Sequence, residues 1–417
     1  MRQTDYKIKQ FVRVFFKQRK KYLKLLAENE SPIYVFEPHV LRQRAKEFRR
    51  TFMHKFDHCG FYFAVKSNNH PLIARTLIDS AFGLDVSSGI EAAMALKLGA
   101  TDIFFTGPGK TAQELDLALK HPRKITVLLD SFHELHTLEK MAGAKNVLLN
   151  AGVRLSTNPS GRWRKFGITL DDLACFFQEA EKCAHINLQG IQFHTSWNHT
   201  PRAQTSFIRS LGRELKTCPP RFLTKIKFLD VGGGYWPESG EWLLSDKNLP
   251  SGGITIRRRY VLACPIEYFA EELSRAINRY LGNLLPIKVC FEPGRWICHD
   301  SMHLLMTVAD KKAPDLVITD LGTNAIGWER FVTNYCPILN LSRPSFSEKP
   351  CFICGPLCTP DDHFGFSYFG DDIQIGDILL IPCQGAYTYS LKQEFIKPFP
   401  KVVVLHNGKM TPGGGAS

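Results

Sequence analysis

The sequence predicts a (β/α)8 TIM barrel followed by an all-β C-terminal domain of the sandwich or barrel-like kind. Two patterns carry that expectation. Between about residues 33 and 300, eight short apolar runs alternate with longer amphipathic segments. Strands alternating with helices build a parallel sheet, and eight such units over ~250 residues is the count of a closed barrel. After residue 300 the strand-like runs come with Pro- and Gly-rich turns and almost no helical periodicity. A doubly wound sheet is the alternative on pattern alone.

The elements follow in order. Residues 1–24 hold nine Lys/Arg and one acid, with Phe11, Val14, Phe15, Tyr22, Leu23 and Leu26 at roughly helical spacing. This predicts an N-terminal helix over 1–32 with a basic solvated face; a nucleic-acid or membrane arm is the competing reading. The barrel is expected over 33–300, with strands at 61–65, 83–86, 102–106, 125–130, 147–155, 188–194, 226–231 and 287–291. Helical patterns fall at 89–98, 111–120, 170–183, 202–216 and 265–281, and 236–256 reads as a long loop. The β-domain is expected over 301–408, from runs at 302–309, 315–319, 350–354, 377–382 and 401–405, with a disordered tail over 409–417.

Composition narrows the function. The chain has 417 residues, 44% hydrophobic, 12% aromatic and 22% charged, which excludes a disordered chain, a coiled coil and a collagen-like repeat. No apolar run is long enough to span a membrane, and no apolar leader opens the chain, so a cytoplasmic protein is expected. The net charge of +13 suits an acidic small molecule as well as nucleic acid or an anionic surface. No nucleic-acid motif accompanies the basic residues, so neither nucleic acid nor membrane is expected as a partner. Most of the twelve cysteines lie in apolar stretches, where a thiol is a small hydrophobe. Cys351, Cys354 and Cys358 cluster, but a zinc site needs a fourth ligand and usually a second paired motif; no metal is expected.

A barrel places its chemistry at the C-terminal ends of its strands. Here those ends carry Lys66, Asp85, Gly107-Pro108-Gly109-Lys110, Arg154, His194, Gly232-Gly233-Gly234 and Glu292-Pro293-Gly294-Arg295. Lys66, rooted behind five apolar residues, is either a snorkelling strand-end lysine or an amine for Schiff-base chemistry. The triple glycine presents backbone amides that suit a phosphate, or it makes a tight turn. Arg295 offers the same phosphate a positive charge. Glu292 is placed to keep a pyridine nitrogen protonated, and His194 offers a flat ring for stacking or is a satisfied core histidine. Together they describe a pyridoxal phosphate site.

The order of these motifs resembles the fold-type III pyridoxal-phosphate decarboxylases, the group acting on ornithine, arginine and diaminopimelate. The matching pieces run from Ala64-Val65-Lys66-Ser67-Asn68 through Asp85-Val86-Ser87-Ser88 with Glu91, Gly107-Pro108-x-Lys110, Lys165-Phe166-Gly167 and Gly190-Ile191-Gln192-Phe193-His194. They continue through the triple glycine, Glu292-Pro293-Gly294-Arg295, Gly355-Pro356-Leu357-Cys358 and Gly385-Ala386-Tyr387. The resemblance implies a homodimer with shared active sites and pyridoxal 5'-phosphate as cofactor. Lys66 then carries the cofactor as a Schiff base, and His194 stacks on its ring. Glu292 holds the ring nitrogen, and Gly232, Gly233, Gly234, Arg295 and Tyr387 hold the phosphate. Asp85 and Arg154 complete the cofactor site. Cys358 arrives from the partner subunit as the proton donor.

Departures from the family pattern bear on the substrate. Many relatives read His-x-Gly-Ser after the sixth strand; here it is His194-Thr195-Ser196-Trp197, so Ser196 is the phosphate-contact candidate in an altered turn. Lysine-type relatives carry an acid directly after the cysteine, whereas this chain has Thr359, with Asp362 further on. Asp320-Leu-Gly-Thr-Asn324 resembles the diaminopimelate branch, but Trp328 stands at that branch's arginine position, with Arg330 near. Asn324, Arg330, Thr359 and Asp362 are the expected substrate contacts. The expected activity is decarboxylation of an amino acid or amino-acid conjugate, with siderophore or other specialised biosynthesis favoured. A diaminopimelate, ornithine or lysine decarboxylase of primary metabolism is the alternative. A racemase on the similar barrel of alanine racemase, or an inactive regulatory homologue, ranks below both. A mobility-shift titration with random duplex DNA at low salt should show no salt-sensitive complex; a steep salt dependence would reinstate the nucleic-acid arm.

Overall fold

The computed structural model describes residues 3–244, 258–282, 284, 287–327, 334–406 and 409–412. The chain divides into two compact units. One comprises Arg42–Glu238 and Ala263–Ile297; the other comprises Met1–Leu41, Ser239–Leu262 and Cys298–Ser417.

The first unit is the barrel. Parallel strands Cys59–Ala64, Gly83–Val86, Ile103–Phe105, Ile125–Leu129, Leu149–Leu155, Ile186–Phe193, Phe228–Asp230 and Lys288–Phe291 close on themselves. The last pairs with the first, setting Val289, Cys290 and Phe291 opposite Cys59, Gly60 and Phe61. Every expected apolar run is a strand, because each is short, buried and bounded by turn residues. Several of the helices between them start at side-chain caps. Ser88 accepts from the Glu91 amide at 3.3 Å, Ser131 from that of Glu134 at 3.1 Å, and Thr111 and Glu114 cap each other reciprocally.

Side chains alternate along a strand, so every second residue points into the barrel. Tyr62, Phe104, Leu128, Phe228 and Cys290 form one buried inner layer. Tyr62 and Phe104 stack with ring centroids 3.8 Å apart, and Phe104 and Phe228 at 5.0 Å. Gly190 makes room for this layer: a Cβ there would lie 1.9 Å from the Phe228 ring. Two residues further along these strands come Ala64, Thr106, Asp130, Asp230 and Glu292, with Asp85, Arg154 and Gln192 from the other three. The next layer, at the C-terminal mouth, is therefore almost entirely polar.

The second unit is built around a nine-stranded sheet, among the described residues. It includes Met302–Ala313, Glu348–Cys354, His363–Phe369, Ile378–Ile381 and Lys401–His406. Three boundaries differ from the sequence reading. Ile33–Phe36, expected to open the barrel segment, lies inside this sheet, antiparallel to Met302–Leu305 and parallel to Lys401–Val404. All four of its residues are buried, and such a run does not encode which sheet it joins. Glu241–Leu244, inside the expected loop 236–256, pairs with Arg258–Val261 just beyond it as a two-stranded ribbon. Lys409–Pro412, expected in a disordered tail, pairs with the strand Lys401–His406.

The N-terminal helix, Gln3–Ala27, belongs to this unit. Ile8, Val12, Phe15, Tyr22 and Leu25 enter a core shared with Leu305, Leu380 and Val403, while Val14 faces out. A polar cluster pins it. Glu37, 2% exposed, accepts from Tyr22 Oη and Lys21 Nζ, each at 2.8 Å, and its carboxylate lies 3.2 Å from His303 Nε2. His303 Nδ1 accepts from the Cys383 amide at 3.0 Å, so the proton of its Nε2 faces Glu37. Burial pushes the Glu37 carboxyl up, but hydrogen bonds and charge from His303 and Lys21 outweigh it and hold the group well below the usual carboxylate range.

A folded-state pKa below the unfolded one means stability that is complete above the unfolded value and lost as pH falls through the folded one. Glu37→Leu should cost about 3 kcal/mol near neutral pH. The difference from the unmodified protein should shrink below about pH 4. Denaturant unfolding across that range checks both.

Candidate active site

The C-terminal mouth of the barrel gathers the polar layer into one place. Lys66 sits in a 3-10 turn, Val65–Ser67, directly after the first strand. That turn is tied down by Ser67, whose hydroxyl donates to the Ala64 carbonyl at 2.7 Å. The Lys66 Nζ donates to Asp85 Oδ2 at 3.0 Å. Asp85 is fully buried and also accepts from Thr106 Oγ1 at 2.5 Å. Burial, then the Glu292 charge, push the Asp85 carboxyl up to about 6, against the opposing pull of Lys66 and Thr106.

Across the mouth, Glu292 is 1% exposed. Gln192 Nε2 donates to its Oε1 at 3.3 Å, and His194 Nδ1 lies 3.6 Å from its Oε2. Burial alone would raise the Glu292 carboxyl. The Lys66 charge and the neighbouring Asp230 carboxyl oppose that, and the group is held below the usual range. Burial pushes the His194 imidazole down, favouring the neutral ring. Its Nδ1 accepts from the Gly233 amide at 3.1 Å, leaving the proton on Nε2, 3.3 Å from Ser196 Oγ.

The triple glycine is a turn of unusual closeness. Gly232 and Gly234 have φ of +67° and +81°, the left-handed region. A Cβ on Gly233 would lie 2.1 Å from the Glu292 carbonyl oxygen. Yet three bare amides are not on offer, as the sequence reading expected. Gly232 N–H donates to Asp230 Oδ1 at 2.8 Å, and Gly233 N–H to His194. These two glycines shape the turn. Gly234 and Arg295, whose guanidinium lies 4.3 Å from the Trp236 ring centroid, remain as phosphate candidates.

The other barrel residues fall around this centre. Arg154 lies with its Nε 3.8 Å from Asp130 Oδ1 and its guanidinium over the Phe166 ring at 4.7 Å. Lys110 is structural: its Nζ donates to the Gly107 and Leu128 carbonyls, each at 2.9 Å, and to Glu134 at 2.7 Å. Asp130, Gln192 and Asp230 were not singled out from the sequence. Counting two residues on from Leu128 and Phe228 would have found Asp130 and Asp230, and from Gly190, Gln192.

The β-domain carries the remaining expected residues, described within that unit alone. Cys358 is exposed at the end of the turn Gly355–Cys358. Asp362, expected at the substrate, is 2% exposed and engaged internally. It accepts from the Thr323 amide at 2.7 Å, the Thr323 hydroxyl at 2.8 Å and the Leu357 amide at 2.6 Å. It thereby holds the turn that displays Cys358. Asn324 is 1% exposed, and its amide donates to the Lys397 carbonyl at 2.8 Å. Both are engaged within the β-domain, as buried polar groups must be satisfied. Thr359 is half-buried beside Cys358, Tyr387 adopts φ of +55°, and Arg330 lies outside the described residues.

The donor set fits pyridoxal phosphate: an amine on a tied turn, a buried carboxylate, a flat neutral imidazole, and a turn so close that a Cβ would fill it. Gly233→Ala should push that turn off Glu292 and weaken cofactor affinity about tenfold or more, roughly 1.4 kcal/mol. Equilibrium dialysis against the cofactor measures this, with circular dichroism confirming that the barrel persists.

Comparison with known proteins agrees. The family model for "Pyridoxal-dependent decarboxylase, pyridoxal binding domain" matches residues 41–299. The chain is 24% identical over 412 residues to the diaminopimelate decarboxylase of Aquifex aeolicus, covering 93% of this chain and 90% of that one. It is 24% identical over 379 residues to the 2-[(L-alanin-3-ylcarbamoyl)methyl]-2-hydroxybutanedioate decarboxylase of Staphylococcus aureus, covering 84% and 89%. The crystal structure of diaminopimelate decarboxylase from Helicobacter pylori complexed with L-lysine shares the fold, with a TM-score of 0.77 at 23% identity over 94% of this chain and 95% of that one. The family match spans well over half of the chain, which therefore belongs to the pyridoxal-dependent decarboxylases, enzymes that use pyridoxal phosphate to remove carboxyl groups from amino acids.

Proposed function

We propose that this decarboxylase acts on an amino-acid conjugate bearing additional carboxylates, in siderophore or other specialised biosynthesis, as a cytoplasmic homodimer with shared active sites. The carrying observation is the turn around Cys358. A distal ammonium, as in lysine or ornithine, needs a counter-charge there. The residue after Cys358 is Thr359, and Asp362 is spent on Thr323 and Leu357. Asp361 is exposed but carries no such geometry. The S. aureus relative, whose name describes such a conjugate, supports the same reading. So do Arg162, Arg164 and Lys165, all exposed on the turn after the fifth strand.

Pyridoxal phosphate supplies an aldehyde for the amine and a ring that withdraws the electrons left when carbon dioxide departs. The chain's residues do the rest. Lys66 Nζ, oriented by Asp85, would hold the aldehyde. Glu292, kept anionic, holds a proton at the ring nitrogen. His194, neutral, offers its flat face without adding a competing charge. Gly234, Ser196, Arg295, Arg154 and Tyr387 are the proposed anchors for the phosphate. Cys358, proposed to come from the partner subunit, delivers a proton to the carbon that lost its carboxylate.

A second reading, decarboxylation of free diaminopimelate, is favoured by the number of relatives so named. A screen for released carbon dioxide across lysine, ornithine, arginine, meso-diaminopimelate and citryl-diamino-acid conjugates separates the two. Turnover of the conjugates alone is expected; ordinary efficiency on a free diamino acid would sink the first reading. Cys358→Ala should lower kcat by about 10²-fold or more with little change in cofactor binding.

A further inference from the structure

The barrel mouth holds three fully buried carboxyl groups, Asp85, Asp230 and Glu292. Lys66 is committed to Asp85 at 3.0 Å. The ionisable groups that act most strongly on Asp230 are Glu292 and Asp85, both of them acids. Cys290 is its register partner on the neighbouring strand.

The two oxygens of Asp230 differ. Oδ1 accepts the Gly232 amide at 2.8 Å. Oδ2 is buried and has no hydrogen-bond partner among the described residues. An ionised, buried oxygen without a donor is expensive, and two adjacent buried carboxyls do not both ionise. Protonation resolves both problems, since an O–H at Oδ2 turns an unsatisfied acceptor into a donor, and Glu292 stands two residues beyond Cys290, the register partner of Asp230. The His194 ring cannot take that part, because its Nδ1 already accepts from Gly233.

We infer that Asp230 is a permanently protonated carboxylic acid whose hydroxyl donates to Glu292 and keeps Glu292 the anion of the pair. Asp230 is thus a positioning residue that acts through Glu292. A neutral donor suits this task better than a cation, which would compete with the cofactor's ring nitrogen for the Glu292 charge. Burial and the Glu292 charge raise the Asp230 carboxyl, in agreement. The consequence for the cofactor rests on the proposed pairing of Glu292 with the ring nitrogen; the location of the proton does not.

Infrared spectroscopy of the cofactor-free protein, labelled with 13C-carboxyl aspartate, tests the proton directly. At pH 8 the spectrum should contain a protonated-carboxyl carbonyl band that shifts with the label, survives in Asp85→Asn and vanishes in Asp230→Asn. Its absence in the unmodified protein, or its survival in Asp230→Asn, overturns the inference. A pH titration of the visible absorbance of the cofactor-loaded enzyme tests the consequence. Asp230→Leu should lower the ring-nitrogen midpoint by about one pH unit or more, whereas Asp230→Asn, still a hydrogen-bond donor, should leave it near its original position. If the two variants shift it alike, the donor role fails. If the band behaves as expected but neither variant moves the midpoint, the pairing of Glu292 with the ring is wrong and the positioning role falls with it.

Discussion

Everything chemical in this molecule depends on a dry layer across the barrel. Tyr62, Phe104, Leu128, Phe228 and Cys290 close the interior, with Gly190 making room for Phe228. The layer has two effects. It fixes the inward parity of the strands that carry it, so the next inward residues on those strands reach the mouth together. It also lowers the local dielectric below the site, so each charge above it must find a partner within the layer. The Lys66–Asp85 pair, the Glu292–Asp230 pair and the internal hydrogen bonds of His194 are the outcome of that constraint.

The same constraint explains why the triple glycine is a shaping element more than a ligand. Its first two amides are recruited to satisfy Asp230 and His194, the groups that flank Glu292. Glycine is required because the turn passes over the Glu292 carbonyl too closely for any Cβ. The turn, the imidazole and the two acids are one hydrogen-bonded unit. A change in any of them reaches the others without a change in fold.

The β-domain uses buried acids in a parallel way. Glu37 gathers Tyr22, Lys21 and His303 and fastens the N-terminal helix. Asp362 gathers Thr323 and Leu357 and fastens the turn of Cys358. In both cases an acid that looks available in the sequence is consumed by architecture. For Asp362 this removes a counter-charge that an ammonium-bearing substrate would use, and it is the physical basis for favouring a carboxylate-rich one.

Much of this was legible in the chain itself. The barrel strands followed from short apolar runs between turn signals, and Lys66, Asp85, His194 and Glu292 followed from asking which polar residue ends each run. Those are local properties, fixed by side-chain alternation and burial. The N-terminal helix could be read for the same reason, from apolar spacing among its basic residues. What the sequence did not show is pairing at a distance. It did not reveal that Ile33–Phe36 joins the β-domain sheet, because a wholly buried strand carries no signature of its neighbours. It did not reveal that Asp362 and Asn324 are engaged internally, or that the Gly232 and Gly233 amides are taken, because hydrogen bonds between residues far apart in the chain leave no periodic trace. Nor did it reveal Asp230, since the meaning of that acid lies in the second acid beside it, brought there only when the seventh and eighth strands pair.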